Sequence, residues 1–393
     1  MKMSDRKILC GFIACLVMFA ATQCSAMEVV RAKKINEPEK EYVGKILIED
    51  AAGGFMLIAR DGKITQFTAD DVISREMNDD VFVPYTKNEI SELLLKEFGP
   101  NFKTYTVGPY VIVYNTSLEY VKWCAALLDR HYEKFREVWS GFGLKLQKPE
   151  FPLVVVLLEN KAQFKDYGRS ELGDGFISEM NAYYHLMTNR VVLCDLTGIE
   201  SGAQSGKRAT AAMIRKITTR PRAGYNISAI MHEASHQIGF NTGMFQRFAP
   251  TPLWLLEGIA MMHELPDIHN PKQTESGEPK VNKERLRQLN GFINADPILK
   301  SNPYVRIQSM LESDDLIRNK NNTALMHYGL SWSICYYLYK KKPKEFSQYL
   351  QIMTSQQILD EYPVRNRVDD FEKTFGNNRE KFSKDYMKFI KSL

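Results

Sequence analysis

The sequence predicts an α+β protein in which a small N-terminal β module precedes a sheet lobe and a long helical lobe. Three observations support this class. Short strand patterns separated by turns fill residues 42–70, strands alternate with amphipathic helices up to about residue 200, and the pattern is almost wholly helical from about residue 207. The chain has 393 residues, 44% hydrophobic and 25% charged, so it is long enough for a sizeable core and is neither collagen-like nor wholly disordered.

Residues 1–26 have the layout of a secretory signal peptide: a basic start, an apolar run over residues 8–21 and small residues before a predicted cleavage site near Ala26. The apolar run of about 14 residues is shorter than the roughly 20 that a membrane-spanning helix needs, so a retained anchor is the weaker alternative. Lipidation at Cys24 is disfavoured because Gln23 stands where a small residue is expected. No later segment has the apolar length of a membrane span, and we expect a secreted or periplasmic protein.

The charge of the chain argues against nucleic acid as its main partner. The formal net charge is +5, and Lys2, Arg6 and Lys7 against Asp5 contribute +2 of it, which leaves +3 for the rest. Nucleic-acid binding needs a concentrated basic face, and a surplus of this size does not supply one.

Cysteine usage argues against a disulfide scaffold. Three of the six cysteines lie in the predicted signal peptide, and the remaining Cys124, Cys194 and Cys335 form an odd set with apolar neighbours. We expect these three to be buried thiols, with disulfide bonds as the less favoured alternative.

Residues 27–100 are assigned to a small β module and a linking helix. The pattern predicts three short strands, at residues 43–49, 55–59 and 63–67. A capping box of Thr86 and Glu89 predicts the start of the linking helix. Three short strands bury little apolar surface, so we expect the module to pack against the rest of the chain or a partner. Its role as a pro-segment, an inhibitory lid or a targeting piece is left open.

Residues 101–200 are assigned to a sheet lobe and residues 201–393 to a helical lobe that carries the site. A second capping box, of Thr116 and Glu119, predicts the start of a long helix with one apolar face. The predicted strands of the sheet lobe lie at residues 110–114, 151–158, 177–186 and 191–196. The polar stretch at residues 266–283 is predicted to be a loop.

The most informative motif is His232-Glu233-Ala234-Ser235-His236. Residues i and i+4 of a helix share a face, so both imidazoles can reach one metal ion, while Glu233 can act on a water molecule beside it. Asn226 is predicted to cap the start of this helix, and residues 241–243 are predicted to end it. Two ordinary histidines on an amphipathic helix are the alternative interpretation.

A second motif supplies a candidate third ligand. Thr251 is predicted as the N-cap and Pro252 as the first residue of a new, apolar helix. Glu257 lies inside this apolar run, where a buried carboxylate is costly without a partner. A salt-bridged glutamate or a charge at the helix start is the alternative. We predict that His232, His236 and Glu257 bind one zinc ion, because a hydrolytic zinc site needs three protein ligands and one open position.

The two motifs together resemble the gluzincins, the thermolysin-like zinc metallopeptidases of the peptidase MA-like class. His-Glu-x-x-His is followed, after 20 residues, by the glutamate of Trp-Leu-x-Glu-Gly-x-Ala. The longer pattern HExxHQ…NTG…PxWLxEGxA is similar to an uncharacterised secreted bacterial family with a peptidase-like domain. The similarity extends from about residue 105 to the C-terminus and is specific around residues 226–265.

The resemblance implies a zincin-like fold, with an upper β-sheet followed by a helical lower lobe. It implies His232, His236 and Glu257 as zinc ligands and Glu233 as the general base. Residues 177–196 are then expected to supply an edge strand to which an extended peptide can add.

One position departs from the gluzincin pattern. These enzymes often carry an aspartate four residues after the glutamate ligand, where it orients the first histidine, and here that position is Met261. Glu264 or Asn241 is the candidate replacement.

Gluzincins also use a tyrosine or histidine of a later helix to stabilise the oxyanion. Tyr328 is the first candidate for this role and His327 the second, with an aromatic core position as the alternative. His263 is a weaker candidate pocket residue. The basic run at residues 340–344 is expected to be a solvated turn.

The predicted function is hydrolysis of peptide bonds in a peptide or protein substrate by a secreted zinc metallopeptidase, with Glu233 as the base and Tyr328 as the oxyanion donor. Two alternatives are a module of this fold that binds peptides or cell-surface polymers with little or no turnover, and a zinc hydrolase of a non-peptide amide.

Overall fold

The computed structural model describes residues 26–34, 37–173, 180–200, 209–265, 279–318 and 324–393. These residues form two five-stranded sheets and many helices, which confirms the predicted α+β class. The predicted signal peptide before Ala26 and most of the predicted loop at residues 266–283 lie outside the described residues. Among the helices described, none combines the length and apolar character that crossing a membrane requires.

The N-terminal sheet is antiparallel. Its strands are β1 (Ala26–Ala32), β2 (Lys40–Glu49), β3 (Phe55–Ala59), β4 (Ile64–Phe67) and β5 (Val72–Val81). They lie in the order β4-β3-β2-β1-β5, so the prediction of three strands was incomplete. β5 is an edge strand with mostly exposed residues and therefore lacks the apolar alternation of a half-buried strand. β1 begins at Ala26, the predicted cleavage site, and lies before the first predicted strand at residues 43–49.

The N-terminal sheet packs against the rest of the chain, as expected. One of its faces forms an apolar cluster with side chains of later segments, and the members of this cluster include Met56, Ile58, Ile64, Phe151, Met187 and Phe248. Arg247, only 8% exposed, donates to the carbonyl oxygens of Gly62 (2.9 Å) and Leu186 (3.0 Å). This buried guanidinium joins a turn of the N-terminal sheet to the segment just after β9 of the second sheet.

The second sheet is mixed. Its strands are β6 (Lys103–Val107), β7 (Tyr110–Tyr114), β8 (Leu153–Leu158), β9 (Ala182–His185) and β10 (Arg190–Cys194). In the order β6-β7-β8-β10-β9, the three central strands are parallel and both edge strands are antiparallel to their neighbours. The expected edge strand is therefore present as β9. The sequence pattern missed β6, in which no residue is fully buried and exposure does not alternate along the strand.

Helices cover both faces of the second sheet and then form the remainder of the chain. The first six are α1 (Lys87–Phe98), α2 (Leu118–Gly141), α3 (Lys161–Leu172), α4 (Leu196–Glu200), α5 (Ala211–Thr218) and α6 (Pro221–Asn241). The later ones are α7 (Leu253–Met262), α8 (Lys283–Ala295), α9 (Pro297–Ser301), α10 (Pro303–Glu312), α11 (Asp315–Arg318), α12 (Ala324–Lys341), α13 (Pro343–Thr354), α14 (Val364–Phe375) and α15 (Arg379–Lys391). Helices α1 and α3 pack on one face of the sheet, while α2 and α6 pack on the other.

Two predicted helix caps have different outcomes. The capping box of α1 is confirmed, since Thr86 accepts from the Glu89 amide and Glu89 accepts from the Thr86 amide (2.7 Å). The predicted box of α2 is wrong, because Ser117 caps this helix by accepting from the Tyr120 amide (3.2 Å). Thr116 instead donates to the buried carboxylate of Asp195, and this tertiary contact replaces the predicted local bond to the helix start.

The three cysteines Cys124, Cys194 and Cys335 are buried and unbridged, as expected. Cys335 lies where α12 crosses α7 at close range. A Cβ atom on Gly258 of α7 would come within 2.4 Å of the Cys335 sulfur and 2.6 Å of the Ser331 carbonyl oxygen. Glycine at this position therefore allows the helix that carries Glu257 to lie directly against α12.

Replacing Gly258 by alanine should force these helices apart. We expect Gly258→Ala to lower the free energy of unfolding by about 1–3 kcal/mol, the usual cost of overpacking a core. Thermal and denaturant unfolding curves measure this loss. Gly291→Ala is the matched control, because Gly291 is a solvent-exposed residue in the middle of α8 and a Cβ atom there meets nothing within 4 Å. This change should raise the free energy of unfolding by roughly 0.5–1 kcal/mol. Equal stability of the Gly258→Ala protein and the unaltered chain would contradict the close packing.

Candidate metal centre

Helix α6 carries the His232-Glu233-Ala234-Ser235-His236 motif. It begins at Pro221 with Arg220 as the N-cap, so the predicted start at Asn226 is wrong by about a turn and a half. Asn226 accepts instead from the side chain of Asn181 (2.8 Å), just before β9. The helix ends at Asn241, and Gly243 follows with a φ of +78°, as the sequence predicts.

The apolar residues of α6 fix which side of the helix faces the site. Ile227, Met231, Ala234 and Ile238 recur at helical spacing and are buried in the main core. His232 and His236 lie on another side, partly buried at 12% side-chain exposure each. The motif is thus held by a buried stripe of apolar residues, while its two imidazoles retain a small exposed fraction.

Helix α7 presents Glu257, and its start differs from the prediction. Pro252 is the N-cap and Thr251 makes no cap bond, so the helix begins one residue later than expected. The cap comes from a distant residue, since the amide of Leu253 donates to Asp314 (2.9 Å), which also pairs with Arg367 (3.2 Å). A capping residue 61 positions away in sequence leaves no local signal.

The three predicted ligand residues converge. The Nε2 atom of His232 lies 3.0 Å from a Glu257 carboxylate oxygen and 3.1 Å from Nε2 of His236. Nε2 of His236 lies 3.6 Å from the other Glu257 oxygen. All of these ligand atoms lie within 4.8 Å of one another, so this group can hold a metal ion.

The spacing suits a small tetrahedral cation. Ligand atoms bound to zinc at about 2.0–2.1 Å in a tetrahedron are about 3.3 Å apart. The two imidazole nitrogens lie 3.1 Å apart, and their distances to the two Glu257 oxygens, 3.0 Å to one and 3.6 Å to the other, are of this size. Two imidazoles and one carboxylate also form a ligand set that zinc uses in hydrolytic sites. His232, His236 and Glu257 therefore form a suitable ligand set for a zinc ion.

Glu264 takes the place of the aspartate that is lacking at Met261. The Nδ1 atom of His232 donates to its carboxylate at 2.9 Å, because an ionised carboxylate only accepts. This bond leaves Nε2 of His232 directed at Glu257 and His236, the tautomer that a ligand histidine needs. Asn241, the other candidate, bonds instead to Asn189 and to the Gln237 carbonyl oxygen.

The protonation of the cluster shows why it needs a cation. Burial alone would lower the pKa of His232, but its hydrogen bonds to Glu257 and Glu264 raise that pKa well above the usual value. Burial lowers the pKa of His236 to about 4, which leaves a neutral imidazole as a ligand. Burial would raise the pKa of Glu257, yet the imidazoles of His236 and His232 hold it below its usual value. Without a metal, a proton on His232 supplies the positive charge between the carboxylates.

The side chain of Glu233 extends from α6 to the edge strand β9. Its carboxylate accepts from the main-chain amide of Tyr184 on β9 (2.8 Å). Burial, with a contribution from the charge of Glu257, raises the pKa of Glu233 to about 7. A group transfers protons most effectively when its pKa is close to the working pH. The edge strand β9 of the described sheet therefore lies beside the predicted base.

Tyr328 of α12 lies next to the same carboxylates. The charge of Glu257, together with burial and the charge of Glu233, raises the pKa of Tyr328 far above its usual value, so the phenol keeps its proton. His327, the residue before Tyr328 on α12, is only 3% exposed. His263 is a core residue, since its Nε2 accepts from the Trp139 indole (3.0 Å) and burial lowers its pKa to about 3.

The helical part of the chain has a match among known families. Residues 226–360 match the model of a family described as a protein of unknown function, DUF1570. The matched segment holds both motifs and Tyr328, and it contains neither sheet. No curated protein shows significant similarity to the chain.

Three features of the site have no counterpart in the sequence prediction. Arg285 and Asn282 bind Glu264, the amide of Tyr184 binds Glu233, and Asp314 caps α7. A main-chain amide carries no residue-specific signal, and charged residues on an amphipathic helix look like ordinary surface positions.

The metal content of purified protein tests the cluster directly. We expect about one equivalent of a divalent metal in the unaltered protein and less than about 0.1 in His232→Ala or His236→Ala, because two remaining ligands bind weakly. His185→Ala is the matched control, since this histidine lies on β9 but faces Glu171 (3.2 Å). Elemental analysis after dialysis gives the result. Equal metal in all four proteins would show that the ion binds elsewhere.

Proposed function

We propose that the protein is a zinc-dependent peptidase that hydrolyses peptide bonds in extended substrates. The observation that carries this proposal is the arrangement of Glu233. Its carboxylate lies beside three convergent ligand residues and accepts from the main-chain amide of Tyr184 on the edge strand β9. A purely structural zinc site has four protein ligands and needs no such group.

His232, His236 and Glu257 would hold the zinc ion. When bound, zinc polarises the scissile carbonyl and lowers the pKa of a water molecule, which makes that water a nucleophile near neutral pH. The ligand side chains are 12–16% exposed, so they are not completely enclosed by the protein.

Glu233 moves the proton in this proposal. Its carboxylate accepts a proton from the attacking water as the water oxygen bonds to the carbonyl carbon. The same proton then passes to the nitrogen of the leaving amine as the carbon–nitrogen bond breaks. The bond from the Tyr184 amide holds the carboxylate in one orientation for both transfers.

Tyr328 stabilises the charge that develops on the carbonyl oxygen. A phenol with a strongly raised pKa stays protonated and acts as a hydrogen-bond donor throughout the reaction. Tyr328 lies near Glu257 and Glu233, on the side of the cluster that α12 forms.

The substrate is proposed to bind as an added strand. Among the described strands, β9 pairs only with β10, and its other edge, where the Tyr184 amide donates to Glu233, is the proposed place for an extended peptide to add. That edge runs past Glu233, which brings a peptide carbonyl to the cluster. Main-chain recognition of this kind suits a peptide better than a non-peptide amide.

Exchanging Glu233 for glutamine separates catalysis from metal binding. We expect Glu233→Gln to reduce peptide hydrolysis by about 10²–10⁴-fold, the usual contribution of an acid–base group, while the zinc content is unchanged. Glu257→Gln is the comparison, and it should lose both zinc and activity. Cleavage of a peptide library, followed by mass spectrometry, measures turnover. Full activity in Glu233→Gln would rule out this base, and zinc-loaded protein that binds peptides without cleaving them would favour a binding module.

Removing the Tyr328 hydroxyl tests the oxyanion donor. We expect Tyr328→Phe to lower kcat by about 100-fold with little change in KM or zinc content, since the bond forms only as charge develops. Tyr337→Phe is the matched control, because Tyr337 lies on the same helix and packs against Phe382 and Tyr386. Equal kcat values in Tyr328→Phe and the control would remove Tyr328 from the mechanism.

A further inference from the structure

Glu264 is held more rigidly than an orienting carboxylate requires. Its main-chain oxygen accepts from Ser228, one turn before His232 on α6 (2.6 Å). Its side chain, 6% exposed, accepts from Nδ1 of His232 (2.9 Å). Glu264 is thus joined to α6 through both its main-chain oxygen and its side chain.

Helix α8 supplies the remaining partners of this carboxylate. Arg285 binds it in a two-pronged fashion, with Nε 3.0 Å from one oxygen and an Nη atom 2.7 Å from the other. The Asn282 side-chain amide donates a further bond at 3.0 Å. Four donors therefore occupy the two carboxylate oxygens, and rotation of the Glu264 carboxylate would break several bonds at once.

The charges of the cluster make Arg285 more than a packing residue. A buried carboxylate beside a ligand imidazole would otherwise be an uncompensated negative charge, which is costly in a low-dielectric site. The guanidinium, 18% exposed, balances that charge, and the carboxylate accepts a hydrogen bond from Nδ1 of His232. Arg285 also lies over the ring of Tyr328, with Cζ 5.9 Å from the ring centroid.

We infer that Arg285 is a positioning residue for the metal centre. Through Glu264 it fixes the tautomer and ring orientation of His232, and Asn282 assists it. The inference rests on the proposed metal site. It adds α8, which lies outside both sequence motifs, to the elements that support this site. Lysine does not replace this function, because an ammonium group cannot bind both carboxylate oxygens in one plane.

Cobalt substitution tests the role without using activity. Co²⁺ absorption bands report ligand geometry, and competition with a chromophoric chelator reports Zn²⁺ affinity. We expect Arg285→Gln to weaken Zn²⁺ binding by about 10–100-fold and to shift the Co²⁺ bands, the usual effect of losing an outer partner of a ligand histidine. Arg285→Lys should show a smaller loss. Arg287→Gln is the matched control, because Arg287 lies on the same helix, is 73% exposed and pairs with Glu284 (2.6 Å) on the helix surface.

A second variant guards against a general folding defect. Asn282 caps α8 by accepting from the Arg285 amide (3.2 Å). Serine preserves a cap but is too short to reach Glu264, so Asn282→Ser should weaken Zn²⁺ binding a few-fold while the melting temperature stays close to that of the unaltered protein.

The outcomes separate this inference from the proposed function. If the unaltered protein binds Zn²⁺ and folded Arg285→Gln and Arg285→Lys match its affinity and its Co²⁺ spectrum, Arg285 has no positioning role and the proposed site stands. If the unaltered protein binds neither ion, both the site and the inference are wrong.

Discussion

The site depends on one costly placement: a carboxylate buried inside an apolar helix, within hydrogen-bond distance of an imidazole from another helix. Glu257 has Gly258, Ile259 and Ala260 as buried neighbours in the chain, and its oxygens lie 3.0 and 3.6 Å from His232 and His236. Such a charge is stable only with a cation or a proton between it and the histidines. Every other feature of the centre can be understood as a means of holding these groups together.

The neighbouring elements fix the position of Glu257 from several sides. Gly258 lets α7 lie against α12 at a distance that any side chain would prevent, and Asp314 caps the start of α7. On the opposite side, α6 is anchored by its buried stripe beneath the second sheet. The ligands therefore come from two helices that are each fixed independently, which preorganises the cluster before a metal binds.

The reactive groups lie where the sheet and the helices meet. The amide of Tyr184 on β9 contacts Glu233 on α6, so one hydrogen bond links the strand proposed to bind peptide with the carboxylate proposed to move the proton. Arg247 adds a connection from the N-terminal sheet to Leu186, just beyond β9. This contact makes the N-terminal sheet part of the support of the edge strand.

Sequence reasoning succeeded where the chemistry is local. The spacing of His232 and His236 defines one helix face, and a buried acid in an apolar helix points to Glu257 as their partner. It failed where a tertiary contact decides: Thr116 binds Asp195 instead of capping α2, and Asp314 caps α7 from far away in sequence. The choice between Glu264 and Asn241 also depended on which side chain reaches Nδ1 of His232. Arg285 has no sequence signal, because its partner is brought to it only by folding.

X-ray absorption at the zinc edge of the purified, zinc-loaded protein tests directly whether His232, His236 and Glu257 are the metal ligands. The account predicts a first shell of nitrogen and oxygen at about 2.0–2.1 Å, with the outer-shell scattering of two imidazole rings. The signal of one ring should disappear in His236→Ala. A shell with sulfur at about 2.3 Å, or one without imidazole scattering, would contradict the assignment of His232, His236 and Glu257 as the metal ligands.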